Sequence, residues 1–187
     1  MEKTPIDSNA FVYPMPMVLV GAMVAGKANF MAVAWVTRVC MKPPLLAVAL
    51  GGRHHTNKGI EENDVFSVNI PSTALITKTD YCGLVSGGKT DKSQMFDIFY
   101  GELEKAPLIS ECPVCIACKV YEKVQLPADT LYIGEIIDAY SEERYLTDGN
   151  PDIRKIDPFT LSMPDNNYWK VGENVGKAWS VGKNLKG

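Results

Sequence analysis

Four groups of residues have the types and spacing to do chemistry. The first is Gly83-Leu-Val-Ser-Gly-Gly88-Lys89-Thr90, which satisfies G-x-x-x-x-G-K-[ST]. In a nucleotide-binding loop of that pattern, backbone N–H groups wrap phosphates, the lysine reaches the terminal ones and the hydroxyl holds Mg²⁺. Such a loop needs a buried strand before it and a helix after it. Thr77–Cys82 is a poor buried strand and Asp91–Tyr100 a mediocre helix. A P-loop-type nucleotide-binding enzyme is therefore the lesser reading, beside a Gly-rich loop whose polar atoms serve another ligand. The second group, Cys112-Pro-Val-Cys115-Ile-Ala-Cys118, has two C-x-x-C spacings. On an extended strand 112 and 115 face opposite sides, as do 115 and 118. A metal site needs converging thiolates, so buried small side chains are expected and no metal. In the third, Arg53, His54, Thr56 and Asn57 offer donors just after a strand and at a possible helix start, a place that suits an anion; a solvated turn is the alternative. In the fourth, Asn29 and Trp35 lie six residues apart on one predicted strand and share a face with Met31, Val33 and Thr37. For that strand alone, a core face with Trp as filler is the default.

The elements that must position these groups are mostly short apolar runs bounded by Gly, Pro and polar residues, which favours strands. Strands are predicted over Met17–Ala25, Asn29–Thr37, Leu45–Leu50, Phe66–Ile70, Pro113–Val124 and Leu131–Ala139, the last with Gly134 as a bulge or close-approach position. Thr56–Asn63 reads as a helix capped by Thr56, and Ser72–Cys82 as a short helix. From about 141 the chain is polar and loop-rich. The pattern points to a mainly β fold, an antiparallel barrel with a few helices, in a single domain over 1–187 with a tail loop. An α/β layered fold fits less well, because strands and long amphipathic helices do not alternate.

Composition narrows the partners. The chain has 187 residues, a net charge of −3 and no block of Lys/Arg, which argues against nucleic acid. Its only histidines, His54 and His55, are adjacent, which disfavours multi-histidine metal catalysis. The uncharged stretch Ala10–Gly26 is short for a membrane span and broken by Pro14, Pro16 and Gly21. Five cysteines and a polar N-terminus without a signal-like core fit a cytoplasmic protein.

Five pieces taken together resemble the flavin reductase-like proteins with an FMN-binding split barrel, of the flavoredoxin type, over about residues 10 to 180. They are Asn29-Phe-Met-Ala-Val-Ala-Trp35; Pro43-Pro44-Leu-Leu-Ala-Val; Phe66-Ser-Val-Asn-Ile-Pro71; Cys82-Gly-Leu-Val-Ser-Gly87 with Asp91-Lys92; and Ala106-Pro-Leu-Ile-Ser-Glu-Cys-Pro113 with Cys118-Lys119 and Ile133-Gly-Glu135. The resemblance implies a Greek-key-like split barrel that binds FMN non-covalently at a homodimer interface. Asn29, Met31, Ala32 and Trp35, with Thr37 on the same face, then line the flavin. Arg53, His54 and Thr56 meet the phosphate and ribityl chain, and Ser86 and Lys92 lie in the loop near the cofactor. A cation there would favour a reduced, anionic flavin. Met163, Tyr168 or Trp169 would cover a flavin face. The implied function is a flavin reductase or flavoredoxin-type electron carrier. It takes electrons from NAD(P)H or a protein donor to a partner protein or small-molecule acceptor. An FMN-binding or storage module without turnover is the alternative. Three positions depart from the family pattern. Ser93-Gln94-Met95 precede Phe96, Thr130-Leu-Tyr-Ile-Gly lacks a histidine, and Cys40 stands where distant reductases have one.

Overall fold

In the computed structural model, which describes residues 1–185, seven strands form one antiparallel sheet. They are β1 (Val18–Val24), β2 (Lys27–Val33), β3 (Val36–Cys40), β4 (Leu45–Gly51), β5 (Val65–Ile70), β6 (Val114–Gln125) and β7 (Asp129–Ser141). Their spatial order is β2-β1-β5-β6-β7-β4-β3. β5, β6 and β7 lie side by side and β4 returns beside β7, a Greek-key arrangement. The two edge strands, β2 and β3, are consecutive in sequence. The sheet curls around one core to which six strands contribute, including Val20, Met31, Val48, Phe66, Cys118 and Tyr132. The barrel is therefore split between β2 and β3.

Why these segments are strands follows from burial on both faces. Val18, Val20, Met31 and Val33 point into the barrel. Leu19 and Phe30 point outward, into a second core closed by Leu75, Cys82, Phe96 and Leu108. Both sides of β1 and β2 thus exclude water, and the residues read as continuous apolar runs. Ala25 and Gly26 close this hairpin with φ of +48° and +78°, the two-residue turn that matches strand twist.

Helix α1 (His55–Asn63) sends Ile60 into the barrel core, and α2 (Ile76–Leu84) covers the outer face of β2. At Gly134 the β6–β7 register shifts, and a Cβ there would lie 2.6 Å from the Phe66 ring and 2.8 Å from the Cys118 Cβ. The glycine serves as both bulge and close approach.

Three expectations are corrected. The predicted strand Asn29–Thr37 is two strands, with a corner at Ala34-Trp35. Asn29 and Trp35 therefore share no strand face: Asn29 is buried, while Trp35 is half exposed. Thr56 is not the cap of α1; His54 holds that place, without a side-chain cap bond, and Thr56 sits in the first turn. The segment after 141 is more than loop. Strands Phe159–Ser162 and Asn167–Lys170 form a hairpin that pairs with Met15–Pro16. It is anchored where the Tyr168 hydroxyl donates to Asp80 at 2.7 Å.

Candidate functional site

Three segments distant in sequence converge where β2, the start of α1 and the loop after α2 meet. Asn29 of β2 is 5 % exposed, and its Nδ2 donates to the Thr56 hydroxyl at 2.7 Å. Gly87 packs on the other side of the same amide, so closely that a Cβ there would fall 1.9 Å from Asn29 Oδ1. Asn29 is thus the pin between strand, helix and loop.

The turn between β4 and α1 is fixed by its backbone. The Gly52 N–H donates to the Ala128 carbonyl at 3.0 Å, and the His54 N–H and Asn57 Nδ2 both donate to the Gly51 carbonyl, at 3.1 and 3.0 Å. This leaves Arg53 exposed at the mouth of the helix. Among the described residues no carboxylate lies within ion-pair distance of it. The first N–H groups of a helix have no partner within it, so a free guanidinium and free donors face one place.

The loop after α2 is organised by Lys92, which is 3 % exposed. Its ammonium donates to the Cys82 and Val85 carbonyls, each at 2.9 Å. A cation at the last carbonyls of a helix is favourably placed with respect to its dipole. Burial lowers the lysine's pKa. Within the loop, the Ser86 carbonyl accepts from the Lys89 and Thr90 N–H groups at 3.0 Å, and its hydroxyl accepts from the Gly88 N–H at 3.3 Å.

Between these segments lies a cavity of about 270 Å³. Met31 and Ala32 give it an apolar wall, and Arg53, His54, Thr56, Ser86 and Lys92 a polar one. His55, the residue after His54, lines it too. Burial first, then Lys58 and Lys92, lower the His55 pKa, so its imidazole is held toward the neutral form. A second chamber of about 230 Å³ shares Met31, Ala32 and His54 and runs on to Trp35, Ala49 and Asp129. Beyond it a groove of about 900 Å³ shares Trp35 and Ala49 and is walled by residues of the N-terminal segment 9–16. The chambers adjoin through these shared wall residues, with a cationic end and an apolar, aromatic end. That donor set suits a phosphate at one end and a flat ring at the other.

Two expected residues are not brought to the cationic cavity. Thr37 opens only onto the far groove, because the corner at Trp35 turns β3 away from β2. Trp169 sits on the separate hairpin, 56 % exposed, with its indole N–H donating to the Ser162 hydroxyl at 2.7 Å.

The other motifs resolve structurally. Gly83 lies inside the last turn of α2 and Lys89-Thr90 lead into no α-helix, so the strand–loop–helix context of a P-loop is absent. Cys115 and Cys118 face opposite sides of β6, but Cys112 precedes the strand and joins Cys115 and Cys82 in the outer core. Burial pushes the Cys82 thiol up to about 11 and those of Cys115 and Cys118 up to about 12. Among the described residues no cluster of three His, Cys, Asp or Glu side chains has metal-binding geometry. No described helix is long and apolar enough to cross a membrane.

Fold and cavity together define an antiparallel split barrel with a cationic pocket and, near it, an apolar, aromatic groove. Residues 10–156 match the model of the flavin reductase like domain, and the chain belongs to that family. It is similar to the crystal structure of flavoredoxin from Methanosarcina acetivorans, with 53 % identity over all of both chains and a TM-score of 0.98. It is also similar to flavoredoxin of Desulfovibrio vulgaris (Miyazaki F), with 36 % identity, 97 % of this chain and 100 % of that one covered, and a TM-score of 0.91. An FMN-binding protein from Thermus thermophilus shares the fold at 20 % identity, covering 95 % and 97 % of the chains with a TM-score of 0.81. The function of the chain is accordingly flavin-related.

Proposed function

We propose that this protein binds FMN non-covalently and acts as a flavin reductase or flavoredoxin-type electron carrier. In this reading it works in the cytoplasm, taking electrons from NAD(P)H or a protein donor to an acceptor. The observation that carries the reading is the cavity in which Arg53, His54, Thr56, Ser86 and Lys92 face Met31 and Ala32. Arg53 and the α1 N-terminus hold the phosphate. Met31, Ala32 and the chamber toward Trp35 receive the ring. When bound, the flavin supplies hydride and one-electron chemistry, and the protein supplies orientation, access and charge. Lys92, fixed by two carbonyls, keeps the loop wall in place and puts a positive charge beside the site. Asn29 and Thr56 hold the strand against the helix so that the apolar and cationic walls keep their spacing.

The reading includes a homodimer. Trp35, Val39 and Met41 are 49, 48 and 77 % exposed along or beside the edge strand β3, where a second chain would cover them. Titration of the apoprotein with FMN, followed by flavin fluorescence, tests cofactor binding. Saturation at one FMN per chain is expected, and absence of binding overturns the proposal. Anaerobic addition of NADH or NADPH should then bleach the bound flavin. Tight FMN binding without reduction or turnover by any donor would favour the module without turnover.

A further inference from the structure

The C-terminal arm is the most unusual surface of the molecule. Within residues 171–185, Val175, Trp179, Val181 and Leu185 are 100, 94, 68 and 89 % exposed. Beyond Asn174, among the described residues, the arm's hydrogen bonds run to its own members and to Asn174: the Ser180 and Val181 N–H groups donate to the Lys177 carbonyl, the Lys183 N–H to that of Ser180, the Leu185 N–H to that of Gly182, and the Gly176 N–H to the Asn174 Oδ1. It is nonetheless shaped, because Val181 packs onto Gly176 closely enough that a Cβ there would meet its Cγ1 at 2.5 Å. Large apolar side chains presented this way mark a contact with another molecule. The flavoredoxin of Methanosarcina acetivorans superposes over the whole of both chains at a TM-score of 0.98. A terminal segment on a different course would not permit that score. An arm that keeps one course while its large apolar side chains stand exposed is held from outside.

We infer that the arm, residues 175–185, seats on a second copy of this chain, in the groove beside Trp35. This rests on the homodimer proposed above and names the element that closes it. The groove is the matching surface. It has a volume of about 900 Å³ and is walled by Phe11, Val12, Pro14, Trp35 and Leu131. Arm and groove are both open on the same chain, and in a two-fold pair each arm meets the other's groove at once. Charge does not oppose it: residues 175–185 carry Lys177 and Lys183 and no acid, and the groove lining carries no charged side chain. Because the groove shares Trp35 and Ala49 with the chamber lined by Met31, Ala32 and His54, the partner's arm shields the Trp35 side of the cofactor site from water.

The experiment is analytical ultracentrifugation of the full chain, a chain ending at Asn174, and the double variant Val175→Asp/Trp179→Asp. Thermal melts accompany it; the removed side chains touch no core, so the fold is retained. The wild type should be a dimer, and both variants should raise the dimer dissociation constant at least about tenfold. A benzophenone side chain placed at 179 should cross-link in trans, to peptides containing residues 9–16 or 35–37. A monomeric wild type overturns the dimer and with it this inference. A dimeric wild type whose variants dissociate no more readily, or cross-links confined to one chain, overturns the arm alone and leaves the dimer standing.

Discussion

Replacing Lys92 by Met separates its two roles. The ammonium is almost fully buried and donates to two carbonyls at 2.9 Å, those of Cys82 at the end of α2 and Val85 just beyond. Hydrogen bonds from a charged group contribute about 1.5–3 kcal/mol each. Desolvation of the ammonium, whose pKa burial already lowers, offsets part of that. Met keeps most of the volume but leaves both carbonyls unpaired, so a net loss of about 2–4 kcal/mol is expected. With a urea m-value of about 2–3 kcal/mol/M, the unfolding midpoint falls by about 1 M. The measurement is made on the apoprotein at fixed concentration, because ligand and dimer both stabilise by mass action. Lys89→Met is the control. Lys89 is exposed in the same loop, and its loss should stay within about 0.5 kcal/mol. FMN affinity should follow the same order, with Lys92→Met the weaker binder, because the loop wall of the cavity hangs on it. A midpoint for Lys92→Met equal to that of Lys89→Met would refute the reasoning about the buried ammonium. Equal FMN dissociation constants for the two variants would refute the place given to this loop.

Other perturbations test other contacts. Gly87→Ala puts a methyl into the Asn29 amide; FMN affinity should fall at least about tenfold, or ~1.4 kcal/mol, and an unchanged titration would remove the pin from the site. Gly134→Ala forces its methyl against Phe66 and Cys118; urea unfolding should register a loss of about 1–3 kcal/mol, with FMN affinity unaltered. Glu61 accepts from Lys123 and from the Tyr132 hydroxyl, and these hydrogen bonds hold its pKa below the ordinary 4.5. Its contribution is present above the unfolded pKa and is lost as pH falls through the folded one. In a stability–pH profile below 4.5, Lys123→Met should therefore flatten the acid slope; with both side chains partly exposed the effect stays under about 1 kcal/mol.

How much of this was legible in the sequence depended on punctuation. β4 and β5 follow from apolar runs closed by Gly51-Gly52 and Pro71, and β6 and β7 from runs whose ends Pro113 and Pro127 help to mark. The corner at Ala34-Trp35 carries no such mark. Val33-Ala-Trp-Val36 is as apolar as the strands it separates, and the turn is imposed by the barrel opening between β2 and β3. The hairpin over 159–170 was hidden because it packs against a two-residue strand far away in the chain. Residues that line the cavity were legible where a local signal existed, as at Arg53 and Thr56 at the junction of strand and helix.

The Gly83–Thr90 loop states the limit most clearly. Its residue types are those of a phosphate cradle, in which a strand leads in and a helix presents its N–H groups. Here a helix leads in instead, so what stands at the mouth of the loop is the C-terminal end of α2 with its free carbonyls. Carbonyls attract a cation, and the lysine they take is Lys92, two residues past the pattern. Lys89, the lysine inside the pattern, is left in solvent. A motif fixes residue types; the direction of the preceding element decides whether donors or acceptors face the lysine. In this chain the anion-attracting end belongs to a different helix, α1, which stands across the cavity beside Arg53.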